Sequence, residues 1–356
     1  MLFLRTAHAW AGAVLSLLIA ILGLSGALLV LKKDYLRLVF PQAREPISLG
    51  PETLGPVIDR IEAEYGPQGL QYISLGDPDF GLHKAVLRDG GGAYLDAAGE
   101  TVARWARNGR PEEWLFDLHH YLLAGNPGKM IAGIAGGAAV LLAITGLIIV
   151  WPSLRMFAWR VWPKSALRRD LLAQHRDLGV IFALPILLIA FSGFSMVYSG
   201  PVRATLNLIT TSRPEPPDER VKAGPGTTDW TASLAAAQER FPGAIPRLAS
   251  PPRSEGSPAS LRLRQPQEWH QNGRTYLLTD PATNHTIGAS DGMAVTRADR
   301  IFNTLYPLHS AGTGGRLYGL LVFLTGLSLT VLGLAGTWTF LRKPKRKRKK
   351  KPVPVC

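Results

Sequence analysis

Residues 6–31 read TAHAWAGAVLSLLIAILGLSGALLVL, twenty-six consecutive positions without Asp, Glu, Lys or Arg. A helix needs about 20 apolar residues to cross a bilayer, so this run is long enough to span. Ser25-Gly26-Ala27 offers a small-x-small cleavage pattern. The apolar stretch before it is long for a signal peptide, and more apolar residues follow it, so the run reads as a retained anchor. Three further charge-free runs have nearly the same length: Met130–Leu154, Leu178–Val202 and Leu317–Leu341, of 25 residues each. Four such runs are not the pattern of a soluble core.

The same first run contains an internal spacing that recurs. His8 is followed by Gly12 at +4 and Gly26 at +18, with Ser25 just before the latter. His175 is followed by Gly179 at +4 and Gly193 at +18, preceded by Ser192. The other two runs match each other as well. His119 precedes Gly136 by 17 and Gly146 by 27, and His309 precedes Gly326 by 17 and Gly336 by 27. The chain therefore reads as two parallel copies of span, outer segment, span.

Composition and charge fit a polytopic membrane protein. Of 356 residues, 46% are apolar, while Lys and Arg total 40 against 26 Asp and Glu, a net charge of +14. Nine of those positive charges lie between Arg342 and Lys351, leaving +5 elsewhere. That tail reads as a topology anchor touching anionic lipid rather than as a nucleic-acid contact. Arg155, Arg160, Lys164, Arg168 and Arg169 crowd the short loop between the second and third runs. By the positive-inside rule this loop and both termini are cytoplasmic in an inner membrane, which puts the two long segments outside. The single cysteine, Cys356, excludes a disulfide framework, a CxxC pair, an iron–sulfur cluster and covalent haem attachment.

The expected organisation follows: a transmembrane helix at 6–32; an outer domain at 33–118; a ligand segment and second helix at 119–154; a basic loop at 155–174; a third helix at 175–202; a second outer domain at 203–308; a ligand segment and fourth helix at 309–341; and a basic tail at 342–356. Each outer segment opens with a short helix, near 52–64 and 229–240. Each then reaches a hairpin signal around Tyr94-Leu95-Asp96 or Tyr276-Leu277. Residues 211–228 and 244–259, rich in Pro, Gly and Ser, read as loop. The fold class is a polytopic α-helical membrane protein of four helices in two repeats, with two small outer α+β domains.

Parity sorts the matched histidines. His8 and His175 fall at the cytoplasmic ends, and His119 and His309 at the outer ends. A facing pair of neutral imidazoles can supply both axial ligands of haem b, held without covalent attachment. Gly12 and Gly179, one turn along from His8 and His175, would leave room for a porphyrin plane. Trp10, Phe182, Phe191 and Phe194 would line the pockets. Two other readings stay open: interfacial histidines bonded to headgroups or carbonyls, and a metal-ion site of two histidines with Asp117 or Asp177. His83, His270 and His285 read as surface histidines of the outer domains.

At these residues the sequence resembles the PepSY-associated transmembrane helix family. The resemblance rests on Ala7-His8-Ala9-Trp10-Ala11-Gly12, Leu118-His119-His120-Tyr121, Gln174-His175-Arg176-Asp177-Leu178-Gly179 and Pro307-Leu308-His309-Ser310, and covers about residues 5–340. It departs at His120, where the family commonly has Arg. The resemblance implies PepSY-like outer domains and two b-type haems, an inner one on His8 and His175 and an outer one on His119 and His309. It implies an oxidoreductase that passes electrons to a periplasmic ferric siderophore during iron uptake. Without a dinucleotide fingerprint, the donor would be quinol or a cytosolic reductase. Alternatives are a quinol-linked cytochrome with another acceptor, or a non-redox regulatory protein. A transporter fits less well, since the four runs carry no charge.

Overall fold

The computed structural model describes residues 1–211 and 222–342. Part of the expected loop 211–228 and nearly all of the basic tail lie outside the described residues. The helices are α1 (Leu2–Val30), α2 (Lys32–Val39), α3 (Pro51–Tyr65), α4 (Pro111–Tyr121), α5 (Gly125–Val150), α6 (Arg168–Ile181), α7 (Ala183–Val197), α8 (Ser199–Thr210), α9 (Trp230–Arg240), α10 (Arg297–His309) and α11 (Gly315–Leu341). The strands are β1 (Leu70–Ser74), β2 (His83–Leu87), β3 (Gly92–Leu95), β4 (Thr101–Trp105), β5 (Ile245–Ser250), β6 (Ala259–Arg264), β7 (Thr275–Thr279) and β8 (Thr286–Ser290).

Three helical segments are long and apolar enough to cross a membrane: Leu2–Val30, Gly125–Met156 and Gly315–Leu341. The third charge-free run differs from the expected straight helix. It is covered by α6 and α7, which meet at a 71° bend, and by the start of α8. Pro185 gives the reason. It has no N–H to offer the carbonyl of Ile181 one turn back, and its ring crowds that carbonyl, so the helix breaks at Ile181–Ala183.

Glycine sets how the long helices meet. A Cβ on Gly23 would lie 2.7 Å from the Gly326 carbonyl oxygen, and one on Gly326 would lie 2.6 Å from that of Gly23. The backbones of α1 and α11 therefore touch directly, as small residues permit in apolar surroundings. On the other side, Gly133, Gly136 and Gly137 of α5 take the side chains or backbone of Val197, Ala190 and Phe194 on α7. Each pairing joins a helix from the first half of the chain to one from the second half.

The strands form one antiparallel sheet in the order β4-β3-β2-β1-β5-β6-β7-β8. The two outer segments therefore contribute four strands each to a shared sheet, rather than forming two separate domains. The joint is the β1–β5 pair, where Ile73 faces Ala249 and Ser74 faces Leu248. β5 occupies part of the expected loop 244–259. Pro246 is tolerated there because the register slips between Pro246 and Leu248, at an irregularity where a missing N–H costs little.

Register divides the sheet into two rows. Ala93, Ala85, Ile73, Ala249, Leu261 and Leu277 lie opposite one another across β3 to β7, and all are buried. α3 and α9 cover this apolar row with Leu54, Ile58, Ile61, Trp230 and Leu234. The alternate row reads Tyr94, Lys84, Ser74, Leu248, Arg262, Tyr276 across the same strands. It is largely polar, as period-two alternation requires of the opposite face.

Val at position 326 would force the α1–α11 backbones apart and is expected to lower stability by about 1–3 kcal/mol. Val at 319, where a Cβ meets only Val30 Cγ1 at 3.8 Å, is expected to be nearly neutral. Thermal unfolding of the two variants in detergent checks the contrast.

Candidate functional site

His119 is on the last turn of α4, and its ring packs against Gly26 of α1. A Cβ on Gly26 would lie 2.8 Å from His119 Cε1. His309 ends α10 and packs against Gly193 of α7 in the same way, also at 2.8 Å. The two rings lie 6.0 Å apart, centroid to centroid, tilted by 41°. A metal atom with imidazole bonds of about 2 Å fits a separation of that size.

The hydroxyl before each glycine fixes the ring. Ser25 Oγ donates to the Ile21 carbonyl at 2.8 Å, so toward His119 Nδ1, 3.0 Å away, it accepts. Ser192 Oγ donates to the Leu188 carbonyl at 2.8 Å and accepts from His309 Nδ1 at 3.3 Å. The Ile189 carbonyl shares that proton at 2.9 Å. At the far end of the bundle, Thr145 Oγ1 donates to the Leu141 carbonyl at 2.7 Å and accepts from His8 Nδ1 at 2.9 Å. Gly146 follows Thr145, and its Cβ would be 3.5 Å from His8 Cε1. With Nδ1 carrying the proton in all three rings, Nε2 is left with the lone pair a metal needs.

His175 is the exception. The residue before Gly336, at the place of Thr145, is Ala335. The His175 ring comes near the Leu332 carbonyl without a hydrogen bond of normal geometry, and Nδ1 is buried without a partner. His8 and His175 both line a mostly apolar cavity of about 390 Å³ built from α1, α5, α6, α7 and α11. That volume lies in the range of roughly 300–1,000 Å³ usual for small-molecule and cofactor sites. A Cβ on Gly12 or Gly179 would meet nothing within 4 Å, so both glycines face open space. Arg5, Arg168 and Arg176 stand among the lining residues. Of the four aromatics expected around the pockets, none lines this cavity; Phe340 does, with Trp10 edge-on to it at 4.9 Å.

The structure separates the other histidines. His120 turns back on its own helix: Nδ1 lies 3.1 Å from the Phe116 carbonyl and the ring stacks on Phe116 at 3.9 Å. Two of the three outer histidines expected at the surface are buried, His83 at 0% and His270 at 6% exposure. His83 points into the core beside the apolar row, accepting the Gly76 N–H at 3.2 Å, and burial holds its pKa down at about 4. His270 stacks on Tyr306 at 4.8 Å. His285 is exposed.

Among the described residues no group of three His, Cys, Asp or Glu is arranged to hold a metal ion. The two carboxylates considered for such a site are engaged elsewhere. Asp177 pairs with Arg160 and Arg176, and Asp117 accepts from Asn108 and faces Arg107. What remains at each end is two histidines, His119 with His309 and His8 with His175.

A family model for the PepSY-associated TM region matches residues 5–343. The chain belongs to that family. No curated protein matches it in sequence.

In this PepSY-associated chain the polar row of the sheet anchors α4, which carries His119. Glu113, six residues before His119, bonds Lys84 Nζ at 2.6 Å, Lys32 Nζ at 2.7 Å and the Tyr94 hydroxyl at 3.2 Å. Burial alone would raise its pKa, but the two ammonium groups outweigh burial and hold it at about 2. A carboxylate with a depressed folded pKa stabilises above its unfolded value, near 4.5, and loses that contribution as pH falls toward 2. Glu113→Gln is therefore expected to flatten the fall in melting temperature between pH 6 and 3 relative to the parent protein. Thr145→Val leaves the half-buried His8 N–H without its acceptor and is expected to cost about 1 kcal/mol in thermal unfolding.

Proposed function

We propose that the chain is a four-span inner-membrane protein, two parallel copies with both termini cytoplasmic. It holds two haem b groups, one on His8 and His175 and one on His119 and His309. In this reading it is an oxidoreductase that delivers electrons to a ferric siderophore in the periplasm, releasing iron as Fe(II). The observation that carries it is the pairing: His119 and His309 meet ring to ring at one end of the helix bundle, and His8 and His175 line one cavity at the other.

When bound, haem supplies a reversible one-electron couple. The chain's own residues supply the rest. Ser25, Ser192 and Thr145 keep the Nδ1 protons in place and leave Nε2 free to ligate. Gly12 and Gly179 clear space beside the inner imidazoles, and the apolar walls exclude water there. Arg5, Arg168 and Arg176 supply positive charge for acidic substituents at the rim. Placing electrons on ferric iron weakens its hold on hard oxygen ligands, since Fe(II) is the softer ion. The arginine-rich loop between α5 and α6, at the end away from the sheet, supports the cytoplasmic assignment of that end. Electrons enter there from quinol or a cytosolic reductase.

A reduced-minus-oxidised spectrum and haem assay on detergent-purified protein test the reading. Two b-type haems per chain are expected. His119→Ala or His309→Ala should each remove one, His8→Ala or His175→Ala the other, and His120→Ala neither. A colourless protein from haem-replete cells overturns it.

A further inference from the structure

The sheet presents its polar row twice, and the two copies are not equally neutralised. Counting outward from the β1–β5 joint, Lys84 on β2 corresponds to Arg262 on β6, and Tyr94 on β3 to Tyr276 on β7. In the first half Glu113 answers the cation. Six residues before His309, where the second half would carry its carboxylate, stands Asn303.

Arg262 makes do with the Gly273 carbonyl, at 3.0 Å from Nε and 2.6 Å from Nη2, and with the face of Tyr276 at 5.3 Å. Two more guanidinium groups join it. Arg264 donates to the Glu268 carbonyl at 3.3 Å, and Arg274 has a buried Nε with no partner. Among the described residues none of these three arginines is in an ion pair. The Glu268 carboxylate in the same loop is spent on the Gln265 and Arg274 N–H groups and the Thr275 hydroxyl. Arg203 nearby is already paired with Asp299. His270 adds no charge at neutral pH, because burial and the three guanidinium groups hold its pKa at about 3.

The cluster lies beside the outer histidine pair. His270 stacks on Tyr306, three residues before His309, and Gln271 Nε2 donates to Ser310 Oγ, one residue after it, at 3.2 Å. Glu268 keeps its charge and acts on Arg262 without pairing it, so one carboxylate faces three guanidinium groups; half-buried positive charge left in excess is costly, and planar guanidinium groups match carboxylate geometry.

We propose that Arg262, Arg264 and Arg274 form a binding site for a carboxylate-bearing anion between the β6–β7 hairpin and α10, beside His309. The anion has two possible sources. One is an acidic side arm of a porphyrin held by the outer histidines, which rests on the haem reading. The other is a carboxylate-bearing small molecule from the outer compartment, which does not.

The test uses the full chain in detergent, prepared from haem-replete and haem-deprived cells, with citrate as the probe in titration calorimetry. Arg274→Gln removes a guanidinium whose side chain holds nothing else in place. Asn303→Glu restores the carboxylate that the first half has. Arg253→Gln, exposed on the same sheet domain, is the control. Citrate binding to both preparations, weakened about tenfold or more by Arg274→Gln and by Asn303→Glu but not by the control, identifies the solute. Loss of one haem, or a shifted potential of one haem, in the same two variants identifies the porphyrin side arm. If citrate binding and haem properties both match the parent protein in the two variants, or citrate fails to bind and haem is unaffected, the proposal is wrong. A protein that holds no haem but binds citrate through Arg274 sinks the haem reading and leaves the anion site standing.

Discussion

An imidazole among apolar helices must place its N–H somewhere, and the available acceptor decides which nitrogen keeps the proton. Here the acceptor is a Ser or Thr hydroxyl whose own proton already goes to a carbonyl one turn back. Such a hydroxyl can only accept, so Nδ1 must donate and Nε2 must carry the lone pair. The glycine following each hydroxyl lies against the ring; at Gly26 and Gly193 a Cβ would run into it, and at Gly146 a Cβ would just touch it. Ser25-Gly26, Ser192-Gly193 and Thr145-Gly146 are three uses of one dipeptide. At the matching place Ala335-Gly336 has no hydroxyl, so His175 lacks the side-chain acceptor that Thr145 gives His8.

The outer pair depends on the sheet as well as on the helices. β1 pairs with β5, so neither outer segment completes its sheet alone, and the apolar row runs unbroken across the joint into a single core. α4 and α10 are thereby referred to one rigid surface, and the histidines at their ends are positioned relative to each other through it. Glu113 fastens α4 to that surface at a buried, doubly compensated charge. On the α10 side Tyr306 stacks on His270 and Ser310 accepts from Gln271, so α4 and α10 are held by different chemistry.

Much of this was legible in the sequence because it is local. Charge-free runs mark the long helices, and the offsets from His8 and His175, and from His119 and His309, mark the matched positions. The parts that were not legible depend on distant partners. Nothing near Ile73 or Ala249 announces that these residues pair, so one sheet reads as two domains. Ile245–Ser250 lies in a Pro-rich stretch and becomes a strand only because β1 and β6 flank it. His83 and His270 look like surface residues until the sheet buries them. Pro185 was visible, but its bend is a consequence of which carbonyl it leaves unpaired. Spacing in the sequence marks the two Ser-Gly pairs; Thr145-Gly146 joins them only through the position of His8 against it.

Glycine serves two opposite purposes around these histidines, and the difference follows from helix geometry. Gly12 and Gly179 lie four residues after a histidine on the same helix, hence on the same face one turn away. Removing a side chain there opens volume next to the ring, and both positions do face open space. Gly26 and Gly193 lie on a helix facing the histidine, and there the vacated volume is filled by the imidazole itself. A same-helix glycine therefore makes room beside a ring, and a facing-helix glycine makes room for the ring. Both kinds recur at matching offsets in the sequence, and the two ends differ in packing: a cavity lies beside His8 and His175, and a close ring pair forms at His119 and His309.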